Sequence, residues 1–550
     1  MAATTSQKTS WAAAIAATLF IFACAADQIM MPLATSAIIQ ELKTDSGQIQ
    51  LAIALLSLFA APFYIAGGKL GDIHGKKKIY LAGLALISIG PLSVALAPNM
   101  AILIGGWSII KGLGYVLAFP ASMGLLIASY PDNAQRGQAF AMYGVGAALA
   151  ALVGPLLMGI CAEALSYRVP FVLLFLLLAV TIFLAARSMP ETEKLANARI
   201  DWGGTVLNFL TIGSLILGSM LGGRYGWWLA RRPFTLGDTQ INLLGLSPAP
   251  WLFGMGIVLA AILLGRLYRL EEKGGRPLFS MKLFDNRTFI ISWSAGLLGF
   301  ILAGASPFII PVFTQQALGF DSLQSGIVMV LFSFGSIALG FFSGKLLEHM
   351  QARTLMQVSF FIVVVGLVWL AIVTNVHMTL GSFALPMLIL GAGWGVISSQ
   401  NPNIQLSTLS AELQGEGSGF SETGKELGNG LGAAVIGSIL FSMAMAGFVD
   451  NVARTTDIQL TSQERNEAIL MLEDETMPAE AIQALSQRIP NLEELGRQAF
   501  VEGFQIALGV EVAIMLFALL VVSFIPRVDP KKIAAKDTRE QVADIASRRL

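Results

Sequence analysis

Two ionisable residues stand in the middle of apolar sequence, where a charge is costly and tends to mark a functional pathway. Asp27 lies about ten residues from the outer end of one hydrophobic run, and Lys111 about ten from the outer end of another running the opposite way. If both runs are helices, a rise of roughly 1.5 Å per residue brings the two side chains to similar depth. Such a pair has two readings. Protonating Asp27 would release Lys111, which is a coupling switch, or the pair is purely structural. Glu511, about two turns inside the last apolar run, is either a second protonatable group or a residue facing a wet crevice. Gln28, Ser108, Gln315 and Gln316 are the expected polar contacts for a small substrate. Glu422, Lys425 and Glu426 share one helical face by their i,i+3 and i,i+4 spacing. An interfacial gate or a solvated helix start is the expectation for them, against substrate or proton binding.

A second cluster sits between apolar runs, in Gly68-Lys69-Leu70-Gly71-Asp72-Ile73-His74-Gly75-Lys76-Lys77-Lys78. Gly68 and Gly75 permit a tight turn and close backbone approach. Asp72 can face a helix N-terminus, where the dipole favours an anion.

The elements that must position these residues follow from composition. The chain has 550 residues, 55% hydrophobic and only 13% charged, and its mean hydropathy is +0.70. Soluble chains carry about a quarter charged residues, so most of this one is solvated by lipid. Net charge is zero, and nothing suggests a nucleic-acid partner. Cys24 and Cys161 lie inside apolar runs, which argues against a disulfide framework or a thiolate metal site. His74, His349 and His377 are scattered and no P-loop occurs, so neither an enzyme, a metal site, a cofactor nor ATP-driven transport is expected.

A spanning helix needs roughly 20 apolar residues, and that template finds about fourteen candidates. The first is predicted over Trp11–Ile38, the fourth over Ala101–Ser129, the thirteenth over Gly419–Ala446 and the fourteenth over Phe504–Ile525. The first is too long for a cleavable signal, and Asp27 interrupts it. Lys69, Lys76, Lys77, Lys78, Arg136, Lys194, Arg199, Lys273, Arg276, Lys282 and Arg353 fall on the inner side if the N-terminus is inside. The positive-inside rule therefore puts both termini in the cytoplasm. Two outer loops are longer. Residues 223–249 carry Trp227 and Trp228 as an interfacial anchor, and the acidic 447–503, with Glu473, Asp474 and Glu475, is expected to form short surface helices.

The turn at Gly68–Lys78 resembles the signature loop of the major facilitator superfamily, G-x-L-a-D-r-x-G-r-[rk]. Gly154-Pro155-Leu156-Leu157-Met158-Gly159 resembles its antiporter motif G-P-x-x-G-G, with Met158 in place of one glycine. Tyr167-Arg168-Val169-Pro170-Phe171, Asp201-Trp202-Gly203-Gly204 and Asn286-Arg287 match further family positions in order, and Gly344-Lys345-Leu346 weakly repeats the signature loop. Together these point to the fourteen-span drug:H⁺ antiporter branch. The resemblance implies an all-α integral membrane protein of major facilitator fold, arranged 6+2+6. It gives an N-terminal six-helix bundle at 1–187, a two-helix insertion at 188–286, a C-terminal six-helix bundle at 287–525 and a cytoplasmic tail at 526–550. It also implies alternating access around a midplane site, with gating by Gly68, Asp72, Gly75, Lys76, Gly154, Pro155 and Gly159. Two family motifs depart here. In the fourth span Ser108 stands where relatives have Arg, and Lys111 where they have Gln; in the first, Pro32 and Ser36 replace Asn and Pro.

The expected function is proton-coupled efflux of amphipathic organic compounds across a bacterial inner membrane by a monomer, with protons and membrane lipids as its other partners. Two alternatives stay open: an exporter of one endogenous metabolite, siderophore or lipid, and a non-transporting membrane sensor.

Overall fold

Short polar residues start the helices at the membrane boundary. Asp45, Asn99, Asp201, Ser247, Asn286 and Asp321 each accept a hydrogen bond from a first-turn amide. At Asp321 the Gln324 side chain answers back to the cap's own N–H, completing a capping box. Between these caps the apolar sequence has one way to satisfy its backbone in lipid, which is the helix.

The computed structural model describes residues 11–526 except 131–132, 193–200, 233, 237–238, 242, 276, 410, 474–487 and 490. Lys194, Arg199, Arg276, Asp474, Glu475 and the tail at 527–550 lie outside the described residues. Among the described residues, fourteen helices are long and apolar enough to cross a membrane. The first seven are Ala12–Leu33, Gly47–Gly71, Lys76–Leu96, Met100–Leu126, Met142–Ala162, Arg168–Ser188 and Trp202–Gly223. The remainder are Pro248–Glu272, Arg287–Gln316, Leu323–Gly340, Ala352–Val373, Leu380–Pro402, Gly419–Thr455 and Leu492–Val522. They are called spans one to fourteen below.

Span one packs on spans five and six, and span three on spans four and six. Among the later helices, span nine packs on thirteen and fourteen, and span eleven on twelve and fourteen. Spans ten and twelve also cross closely. There Gly391 faces the Phe332 carbonyl, Gly335 the Leu388 carbonyl and Gly395 the Ser336 carbonyl. Missing side chains let the two backbones touch, as small residues do at membrane helix crossings. The main seams between spans one to six and spans nine to fourteen are span ten on five, thirteen on two and nine on one.

Spans seven and eight pack on each other, and span seven also lies on spans two and thirteen. An ion pair with a buried acid and a half-exposed base joins the start of span seven to the end of span eight. Asp201, the cap of span seven, accepts from Gly204 N at 2.9 Å and from Arg266 of span eight at 2.7 Å. Burial raises its carboxyl, but the Arg266 guanidinium and the Gly204 amide outweigh that and hold it below the usual carboxylate range. A depressed value means the stabilisation is complete at neutral pH and lost as pH falls below about 4. Asp201→Asn is expected to cost about 1–2 kcal/mol at neutral pH. Thermal unfolding of the purified protein should show that gap narrowing on acidification.

The structure departs from the sequence expectations at three places. Span thirteen belongs to one continuous helix over Ala411–Thr455, and span fourteen begins at Leu492. Polar residues with good helix propensity carry both helices beyond their apolar stretches. The acidic loop is correspondingly shorter, and Ser462–Glu473 forms the expected surface helix. In the loop after span seven, β1 (Phe234–Leu236) and β2 (Thr239–Ile241) pair as a small antiparallel hairpin in an otherwise helical chain. Arg231 beside it donates to Ser442 at 2.7 Å and ties the loop to span thirteen.

Candidate functional site

Asp27 and Lys111 meet inside the protein. The Lys111 ammonium is bonded to Asp27 Oδ2, and Trp107 Nε1–H donates to the same oxygen at 2.9 Å. Lys111 is 0% and Asp27 4% exposed. Trp107 and Tyr115 lie four residues either side of Lys111, on one helix face, and the ammonium sits 3.6 Å from the first ring centroid and 5.4 Å from the second. Such aromatic faces stabilise a desolvated cation. The turn carrying Trp107, Ile104–Ile110, is a π-helix, which widens the helix just before Lys111. From span three, Gly90 makes room for the lysine stem: a Cβ there would lie 2.6 Å from Lys111 Cδ.

The other carboxylate oxygen, Asp27 Oδ1, is buried without a hydrogen-bond partner among the described residues. It is a buried acceptor with open lone pairs.

Span thirteen carries three charges toward this region. Lys425 Nζ lies 3.3 Å from Glu422 Oε2. It also lies 5.7 Å from the Phe119 ring of span four and 5.9 Å from the Phe300 ring of span nine. Glu426 is 4% exposed, accepts a hydrogen bond from Ser57 of span two, and is within electrostatic reach of Lys111. Thr423 between them donates to the Ala61 carbonyl of span two at 2.9 Å. Because the helix begins at Ala411, these residues lie three to four turns inside it. They do not form the solvated helix start that the sequence suggested. Only the helix-start alternative is set aside, because the apolar stretch starts later than the helix does; the gate alternative is untouched by this.

Glu511 is fully buried, and both its oxygens lack partners among the described residues. Two turns away on its own helix, Phe504 stacks on Phe313 of span nine at 4.1 Å. The carboxyl therefore stands in a dry part of the later helices, apart from the Asp27–Lys111 pair.

The remaining expected residues are dispersed. Ser108 donates to the Ala52 carbonyl at 2.7 Å and is 0% exposed, so it ties span four to span two. Gln28 is half-buried beside Asp27, Gln316 is exposed at the end of span nine, and Gln315 accepts a hydrogen bond from Ser36 of the short helix Thr35–Leu42 that follows span one. Gly75 is the whole of the signature turn: one helix ends at His74, the next begins at Lys76, and Gly75 takes φ 96° between them. Lys69 donates to the Pro277 carbonyl at 2.8 Å, and the Lys76 amide donates to Thr192 at 2.9 Å. Gly68 rests on Pro120. The Asp72 side chain lies outside the described set.

In span five, Gly154 allows the helix to approach span one at Ala26, next to Asp27, and Gly159 is buried. Pro155 has no amide hydrogen, so the Ala151 carbonyl loses its normal helical donor. Ser333 of span ten donates to that carbonyl instead. Gly326 of the same span packs on the Pro155 carbonyl. Sequence reasoning found the proline but not its partner. It also missed Trp107, Tyr115 and Gly90, although the first two are legible as residues four positions either side of Lys111.

Fourteen membrane-crossing helices among the described residues, with a buried acid–base pair joining spans one and four, define a multi-pass membrane protein. The chain belongs to the Major Facilitator Superfamily, whose family model matches residues 16–433. Multidrug resistance protein Stp of Mycobacterium tuberculosis is 22% identical over 511 residues, covering 92% of this chain and 90% of that protein. Multidrug resistance protein 3 of Bacillus subtilis is 25% identical over 378 residues, 68% of each chain. Both agree with a drug:H⁺ antiporter family. The crystal structure of a bacterial homolog to the human lysosomal transporter Spinster, inward-facing and unoccupied, matches with TM-score 0.57 at 14% identity, covering 96% of this chain and all of that one. The fold is the major facilitator fold, and the chain is a membrane transporter for small molecules.

Proposed function

We propose that the protein is a proton-coupled exporter of amphipathic organic compounds, working by alternating access in a bacterial inner membrane with both termini cytoplasmic. The observation that carries this reading is the buried Asp27–Lys111 pair with one carboxylate oxygen left open. A charge pair this dry is stable only while intact, so a single proton changes the balance between its two partners. The relatives named for multidrug resistance support the efflux direction and the drug-like substrate.

In this reading, helices of 1–187 and 287–525 rock as two bundles, with 188–286 inserted between them. Substrate enters against Glu422, Lys425 and the Phe119 and Phe300 rings, while Glu426 couples electrostatically to both Lys425 and Lys111. Gln28, Gln315 and Gln316 remain candidate polar contacts, and Gly68, Asp72, Gly75, Lys76, Gly154, Pro155 and Gly159 belong to the hinges and gates. Glu511 is a second group that takes up and releases protons. A carboxyl with no partner cannot stay charged when dry, so it is neutral while sealed and free to ionise once water reaches it.

The test is purified protein in liposomes with an imposed pH gradient and a fluorescent amphipathic cation. Uptake is expected to follow the gradient and to collapse with a protonophore; uptake indifferent to both would sink the coupling. Glu511→Gln keeps the shape of the neutral acid, so it is expected to fold normally while weakening gradient-driven transport. Full gradient-driven transport by that variant would remove Glu511 from the mechanism.

A further inference from the structure

Span eight is unlike the helices around it. Leu263 and Leu267 are buried against neighbouring helices, but the opposite face is bare. Val258, Ile262, Gly265, Arg269 and Lys273 follow one another at steps of three or four, which is a single stripe on the helix surface. They line a groove of about 660 Å³, with Arg266 at its side. Its upper part is apolar and open, with Val258 58% and Ile262 51% exposed. At Gly265 no atom lies within 4 Å of where a Cβ would be, so the groove is empty space rather than a packed seam.

The lower lining is basic: Arg266, Arg269 and Lys273 line it, while Glu271 and Glu272 keep their charge but lie outside the lining. Glu271 accepts from the Ser280 hydroxyl at 2.6 Å and the Met281 amide at 2.7 Å. Glu272 is bonded to Tyr268, and Asp201 neutralises Arg266. Arg269 and Lys273 are exposed at the mouth. From Val258 to Arg269 the helix rises roughly 16 Å, close to the roughly 15 Å hydrocarbon depth of one leaflet.

We propose that this groove is a binding site for an anionic phospholipid, its phosphate held by Arg269 and Lys273 and one acyl chain lying along Ile262 and Val258. Length, apolarity and charge fall in the order that such a lipid requires, with the headgroup at the basic end. In the orientation proposed above, that end faces the cytoplasmic leaflet. The lipid links spans seven and eight to the bilayer at the point where the Asp201–Arg266 pair joins them.

The test uses the full-length protein in mixed phosphatidylglycerol and phosphatidylcholine nanodiscs of matched acyl chains, followed by native mass spectrometry of lipid that stays bound on release. The wild type is expected to retain one phosphatidylglycerol in preference to phosphatidylcholine. Arg269→Gln with Lys273→Gln should cut that retention about tenfold or more, since each cation near a headgroup contributes appreciably. Gly265→Phe fills the groove without touching the charges and should remove the retained lipid as well. Glycerol phosphate, which lacks acyl chains, should not compete. Equal retention of both lipids, wild-type retention by either variant, or displacement by glycerol phosphate would overturn the proposal. Size-exclusion profiles confirm that each variant is folded, and no step depends on transport, so a failed coupling assay leaves this result standing.

Discussion

Asp27→Asn is expected to abolish transport driven by a pH gradient and to destabilise the protein as well. The asparagine fits the space and can still accept from Trp107, but it carries no charge. Lys111 then stays at 0% exposure with only the more distant Glu426 opposite it, and removing one partner of a buried pair costs about 3–5 kcal/mol. The rings of Trp107 and Tyr115 offset only part of this, since a cation–π contact is worth about 0.5–2 kcal/mol. The decisive companion is the double variant Asp27→Asn with Lys111→Met. With neither charge present, the penalty for a lone buried charge disappears, and such replacements are often neutral or stabilising. Thermal unfolding should therefore recover to near the wild-type midpoint. Gradient-driven uptake in liposomes should not recover, because no protonatable group is left at that position. If uptake returned together with stability, the pair would be a structural strut and the proton route would lie elsewhere.

Gly391→Leu should be the most damaging single change in the later helices. A Cβ at that position meets the backbone of Phe332, not the end of a flexible side chain. Gly335 and Gly395 make the same kind of contact on either side, so span ten cannot slide away without breaking those too. Overpacking commonly costs about 1–3 kcal/mol, and a loss of at least roughly 3 kcal/mol is expected where backbone opposes backbone. The measurement is the yield of monodisperse protein on size exclusion, with its unfolding temperature. Gly254→Leu is the control: no atom lies within 4 Å of its would-be Cβ, and it should behave as wild type. A stable Gly391→Leu protein would mean that the two helices are not held this close.

The membrane helices were legible because lipid leaves the backbone little choice, and an apolar run long enough to span is nearly a statement of structure. The depth of Asp27 and Lys111 was legible for the same reason: a helix converts residue count into height. Direction around the helix was harder to read. Ser108 occupies a family position that suggested a role beside the pair, yet its hydroxyl is spent on span two. Glu422, Lys425 and Glu426 were read at the membrane edge because hydropathy reports where apolar residues begin, whereas helices begin at caps and good helix formers. The resemblance supplied the fold, and it also pointed to Pro155. What it could not supply was the partner on span ten, which depends on a contact between segments far apart in sequence.

That partner has a consequence for how the two faces separate. The Ala151 carbonyl, deprived of its helical donor by Pro155, is satisfied by a hydroxyl belonging to another helix. The same hydroxyl lies 2.9 Å from the Met329 carbonyl of its own helix, so in the proposed rocking motion Ser333 would keep an acceptor while the Ala151 carbonyl is left open to water. Opening on this seam would then be a wetting event at one known atom. A carbon-13 label on that carbonyl would make its infrared band a gauge of the transport cycle, shifting each time the bond changes from hydroxyl to solvent.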